Sequence, residues 1–171
     1  MKERFMVRRV FYGFHYKPDN WRVMQIKNIG AIEGSRLLNS NEWESIKRGG
    51  DQAIKRWIDE EMNGTSCLVV LIGQDTANRR WVNYEITKAW NEGKGVVGVY
   101  INTLKDQNNR QSLKGQNPFY YIKLENGVPL AFVAKAYEPN FPESKDAFNY
   151  ISNNLQAMVE EAISIRNNYR I

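Results

Sequence analysis

The stretch CLVVLIGQDTANRRWVNYEITK, residues 67–88, decides the fold. Its opening residues, Cys67 to Ile72, are apolar without interruption, the pattern of a strand covered on both faces at the centre of a parallel sheet. Gly73 ends the run, a short polar loop follows, and Val82, Ile86, Ala89 and Trp90 then recur at helical spacing. Trp81 and Glu85 lie one helical turn apart, so a ring and a carboxylate share a face of that helix. Ligands of open α/β sheets bind beyond the carboxyl ends of the strands, and a strand-to-helix turn of this kind is where a working carboxylate is expected.

Outward from this unit, strand and helix patterns alternate. Val7 to Phe14 reads as a first strand, rich in β-branched and aromatic residues. Pro18 to Lys27 has helical or loop character, with Trp21, Met24 and Gln25 spaced for one face. Gly30 to Gly50 is polar and irregular, with Arg36-Leu-Leu38 as a short strand inside it. Asp51 is the expected N-cap of a helix that carries Ile54, Trp57, Ile58 and Met62 and stops at Asn63-Gly64. Gly93-Lys-Gly95 closes the motif helix, and Val96 to Ile101 forms the next buried strand. Asn102 to Asn117 reads as a long surface loop; Asn126-Gly127 then joins a hairpin or an irregular pair of short strands. Ser144 is the expected cap of a long final helix with a stripe from Ala147 to Ile163. These elements predict one α/β domain over residues 1–171, with a flavodoxin-like central parallel sheet, helices on both faces, a core over about 7–122 and a C-terminal helix over about 143–166.

The composition bounds the function. A chain of 171 residues with 42% hydrophobic and 25% charged residues suits one soluble globular core. No apolar run is long enough to span a bilayer and no signal-peptide pattern appears, so a cytoplasmic protein without membrane contact is expected. One cysteine, Cys67, and one histidine, His15, exclude a zinc site built from those ligands, and no metal is expected. The net charge of +5 is spread, with short concentrations at Lys2 to Arg9 and at Arg79-Arg80. No basic stripe is interleaved with aromatics, which argues against a nucleic-acid reader. The first strand does not end in paired acidic residues, which disfavours a magnesium-dependent phosphoacceptor domain of the same fold.

Several segments together carry a family resemblance: RVFYGFHY (9–16), VLIGQDTANRRWVNYEI (70–86), GVYIN (98–102) and KGQNPF (114–119). They resemble the bacterial TIR-like family, and more narrowly the TIR-like subunit of Thoeris anti-phage defence systems, over roughly residues 7–122. The resemblance implies an enzyme that cleaves the bond between nicotinamide and ribose in NAD, with NAD as substrate and no other cofactor. It implies a cyclic or otherwise modified ADP-ribose product that signals to a partner effector. It also implies a phage-derived trigger and a homo-oligomer as the active form. The family's catalytic glutamate corresponds to Glu85 and its motif tryptophan to Trp81. Its nucleotide site corresponds to Phe14, His15, Tyr16 and Asp19.

The residue types suit that chemistry. Nicotinamide in NAD is a cationic leaving group, so no strong general acid is required, and the ribose left behind is oxocarbenium-like. A fixed carboxylate stabilises that charge, and an ordinary glutamate is ionised at neutral pH. Phe14, Tyr16 or Trp81 would stack on flat rings, and Arg79 and Arg80, beside a helix N-terminus, would face a pyrophosphate. Each role has a plainer competitor. Glu85 would pair with Lys88 on a solvated helix face; Trp81 would be core packing, His15 a loop residue, and Arg79-Arg80 surface charge. Trp21, Trp43, Trp57 and Trp90 read as core or interface, with Trp43 in a loop that could border the site. A second class of function is a non-catalytic TIR-like module that self-associates through the aromatics between Gly30 and Gly50.

Overall fold

The computed structural model describes residues 7–30 and 32–169, so residues 2–6 of the amino-terminal basic concentration lie outside it. Five strands form one parallel sheet: β1 (Arg9–Gly13), β2 (Glu33–Gly34), β3 (Cys67–Ile72), β4 (Gly95–Tyr100) and β5 (Ala136–Tyr137). Their order is β2-β1-β3-β4-β5, which is the flavodoxin-like order. The helices are α1 (Tyr16–Lys27), α2 (Ser40–Arg48), α3 (Gly50–Met62), α4 (Arg80–Asn91) and α5 (Ser144–Asn168). None among the described residues is long and apolar enough to cross a membrane.

Strand alternation sorts the core into two layers. Cys67, Val69 and Leu71 of β3 join Val10 and Tyr12 of β1 beneath α1 and α5. Leu68, Val70 and Ile72 join Phe11 beneath α3 and α4, whose Ile54, Ile58, Val82 and Ile86 complete that layer. Helices therefore cover both faces, as the unbroken apolar run of β3 predicts.

The irregular reading of Gly30 to Gly50 is corrected in two places. The strand is Glu33–Gly34, not Arg36 to Leu38, and residues 40–48 are helical. α2 buries no residue fully and has only Trp43 and Ile46 as apolar anchors, too few to give a periodic signal. Its start is nevertheless marked, because the Asn39 side chain accepts a hydrogen bond from the Glu42 N–H at 2.8 Å. Both expected caps also move. Asp51 sits in the first turn of α3 behind Gly49, and Ser144 Oγ accepts from the Lys105 N–H at 3.0 Å instead of capping α5. The Asn126-Gly127 turn joins an isolated antiparallel bridge between Lys123 and Pro129, with a 3₁₀ turn on either side at Pro118–Tyr121 and Leu130–Phe132.

A buried ion pair holds the carboxyl end of the sheet together. Arg22 Nη1 donates to Asp19 Oδ1 at 2.9 Å with both side chains almost fully buried. The same guanidinium donates to the carbonyls of Leu104 at 2.8 Å and Arg110 at 3.0 Å, which ties α1 to the 102–117 loop. The Asp19 carboxyl packs directly on Gly73, where any side chain would overlap it, so the turn that leads from β3 into α4 is held by the same cluster. Removing one member of a buried pair strands the other charge and costs about 3–5 kcal/mol. Arg22→Ala is therefore expected to lose about that much stability in urea unfolding at neutral pH, whereas a loss below about 1 kcal/mol would show that the cluster does not hold the fold.

Candidate active site

The strand order reverses between β1 and β3, the position where folds of this order open a ligand crevice. Gly13 ends β1 and Glu85 stands on the second turn of α4, and the two meet there. A Cβ on Gly13 would lie 2.7 Å from Glu85 Oε2, so the carboxyl takes the space that glycine leaves open. Glu85 is 7% exposed, and its Oε2 is buried without a hydrogen-bond partner. The salt-bridge alternative does not form: Lys88 pairs with Glu92 and Asp59 instead.

This environment corrects one expectation. Glu85 is not an ordinary glutamate, because burial holds its pKa well above the usual carboxyl range. Burial thus disfavours its charged form.

A cavity of about 410 Å³ opens beside this carboxyl. Phe14, His15, Tyr16, Arg79, Arg80 and Trp81 all line it, so the structure brings together six of the seven sequence-predicted binding residues with Glu85. The exception is Asp19, which lies behind the cavity in the ion pair with Arg22 and touches Gly73. His15 Nδ1 is buried and unpartnered, and burial, with the Arg79 cation adding to it, lowers its pKa and keeps the imidazole neutral. The Tyr16 hydroxyl donates to the Leu38 carbonyl at 2.8 Å, which fixes that ring against the segment before α2. Arg80 ion-pairs with Asp51 at 2.7 Å and lies over the Trp81 ring at 4.6 Å. Arg79 Nε donates to the Asp75 carbonyl and forms no ion pair among the described residues. It stands at the N-cap of α4, whose first turn has no side-chain cap, a setting that favours an anion.

Trp43, read from sequence as core or interface in a loop that could border the site, and Trp57, read as core or interface, both pack on the core beneath α3 and α4 and both line the cavity. Tyr16 and Trp43 pack at 5.8 Å, Trp43 and Trp57 at 6.5 Å, and Trp57 and Phe11 at 5.9 Å, a continuous aromatic wall. Lys47 of α2 joins the exposed cations at its edge. The available signal was the Asn39 to Glu42 capping pattern, which places Trp43 and Lys47 one turn apart on a helix. Flat rings on an aromatic wall, an anionic linker near Arg79 and a developing cation at Glu85 are what this arrangement accommodates.

The family described as the TIR-like domain of Thoeris protein ThsB matches residues 11–106, which include the end of β1 from Phe11, the aromatic wall and all of α4. The chain belongs to this family. A relative from Bacillus cereus (strain MSX-D12), named as a candidate cyclic ADP-D-ribose synthase ThsB1, is 38% identical over 122 residues. That match covers 68% of this chain and 64% of the relative, so the chain spans somewhat under two thirds of the relative's length. Within the ThsB-type TIR-like domain the matched segment contains every cavity residue named above.

Burial of Glu85 has a consequence for stability with a definite sign. A carboxyl whose folded pKa is raised contributes most below its unfolded value, and that contribution is lost as pH rises through the folded value. Glu85→Gln is therefore expected to melt close to wild type near the ordinary carboxyl pKa of about 4.3, and above wild type at about pH 8. A gain of at least roughly 2 °C corresponds to about 1 kcal/mol in a chain of this size. Thermal melts across that range check it, and a variant less stable at the alkaline end would contradict the buried, charge-disfavouring site.

Proposed function

We propose that this ThsB-family chain cleaves the nicotinamide–ribose bond of NAD and releases a cyclic or modified ADP-ribose as a diffusible signal. The observation that carries the reading is the Glu85 carboxyl, unpartnered and buried at the β1/β3 switch point beside an aromatic cavity. Its family membership and the name of its 38% identical relative support the same substrate class.

In this reading the C1′–N1 bond breaks heterolytically and its electron pair stays on the pyridine nitrogen, so neutral nicotinamide leaves. The ribose is left as an oxocarbenium ion. Glu85, as carboxylate, faces that cation; the incoming charge offsets the burial that otherwise favours its protonated form. Water captures C1′ in hydrolysis, or an atom of the same nucleotide does so in cyclisation, with loss of one proton in either case. Arg79 and the open first turn of α4 take the pyrophosphate. His15 stays neutral and lines the site without proton transfer, since the leaving group needs no acid. The product acts on a partner effector, the enzyme responds to a phage-derived trigger, and its active form is a homo-oligomer.

Nicotinamide release from NAD, followed with and without lysate of phage-infected cells, tests the reading. Wild type is expected to release it, and Glu85→Gln to fall by about 10²–10³-fold or more, the range seen when a pre-organised electrostatic group is removed. Equal rates would take Glu85 out of the mechanism. No release under either condition would favour a non-catalytic assembly module.

A further inference from the structure

We infer that Trp57 determines specificity for the leaving group: its indole N–H donates to the carboxamide oxygen of nicotinamide, in a slot walled by Phe11, Ile58 and Val82 next to Glu85. This rests on the NAD-cleaving reading above.

The starting observation is an unmet hydrogen bond. Trp57 Nε1 is buried without a partner, although Trp57 lines the cavity. Buried donors in folded proteins are nearly always paired, and an orphan at a cavity wall is accounted for by a group that binds there. The ring is held in place, packed on Phe11 at 5.9 Å and against Trp43 at 6.5 Å, so it belongs to a wall that is already ordered.

Its location selects the end of the dinucleotide. Phe11 and Gly13 lie on the same face of β1, two residues and about 6–7 Å apart, and the Glu85 carboxyl sits against Gly13. Phe11 in turn carries the Trp57 ring. With C1′ of the ribose at Glu85, the group bonded directly to C1′ falls within reach of this wall. The adenine, separated from C1′ by a ribose, the pyrophosphate and a second ribose, extends elsewhere.

The chemistry agrees with the placement. Phe11, Ile58 and Val82 offer apolar and aromatic surface, and Trp57 adds one neutral donor. The cations Lys17, Arg36, Lys47, Arg79 and Arg80 are all exposed at the cavity's solvent edge. A flat ring bearing a neutral carbonyl acceptor fits the slot both before and after the bond breaks.

The test separates binding from turnover. Nicotinamide and 3-methylpyridine, which lacks the carboxamide, are titrated by calorimetry or ligand-observed NMR into Glu85→Gln and into Glu85→Gln with Trp57→Phe. The phenyl ring keeps an aromatic face but removes the donor together with part of the indole, a loss of packing that 3-methylpyridine binding reports separately. Nicotinamide affinity is expected to fall about tenfold, the effect of losing one buried hydrogen bond, while 3-methylpyridine is unaffected. Trp57→His, which keeps a ring N–H, is expected to recover part of the loss and guards against a folding artefact. Equal nicotinamide affinity with and without the indole, an equal loss for both ligands, or no nicotinamide binding would each overturn the inference. If Trp57-dependent binding holds but wild type releases no nicotinamide from NAD, the cleavage reading fails and the slot stands.

Discussion

The constraint on which everything else depends is the burial of β3 on both faces. All six of its side chains are inaccessible to solvent, alternating into two separate apolar layers. A strand in that position needs a strand on each edge for its backbone and a helix on each face for its side chains. β1 and β4 supply the edges, α1 with α5 one face, and α3 with α4 the other. Once these are in place the chain leaving β3 must turn at Gly73 and pack α4 back across β3 and β4, beside the end of β1. That crossing brings Glu85 to Gly13.

The site is accordingly made where two requirements conflict. Core packing favours an apolar side chain at position 85, which is buried like its neighbours Val82 and Ile86 though slightly less completely. A carboxyl there has no partner for one of its oxygens and resists ionisation. Stability is given up to place an ionisable group there, a pattern common to working sites. The Asp19–Arg22 pair resolves a similar conflict in the opposite way. It too is buried, and Asp19 Oδ2 against Gly73 is without a partner, but Oδ1 meets the Arg22 guanidinium, which also donates to three backbone carbonyls and so ties α1 to the 102–117 loop.

Charge around the cavity is more selective than the net +5 suggests. Arg36 pairs with Glu42, Lys47 with Glu44 and Arg80 with Asp51, each on or beside the α2–α3 pair. Arg79 keeps its charge for the α4 N-terminus, where the helix end adds to it. Lys17 also lines the cavity without an ion pair among the described residues, so an anion entering this region meets two unpaired cations, of which Arg79 stands at a helix end.

Residues 67–88 by themselves determined the sheet, the motif helix and the pairing of Trp81 with Glu85, because these rest on local periodicity and on burial that is visible as hydrophobicity. The strands β1 and β4, the long final helix and six of the residues that line the cavity were legible for the same reason or through the family resemblance. Tertiary structure alone decided the rest. α2 has too few apolar residues to announce itself, so the approach of Trp43 and Trp57 to Phe11 depends on how α2 and α3 pack. Asp19 sits in sequence beside the cavity-lining residues Phe14 to Lys17, but the helical turn that begins at Tyr16 carries it away from the cavity to Arg22. The ionisation of Glu85 was likewise unreadable from its neighbours in the chain. A pKa depends on the solvent and charges around a group in space, and those are set by distant segments that only the fold brings together.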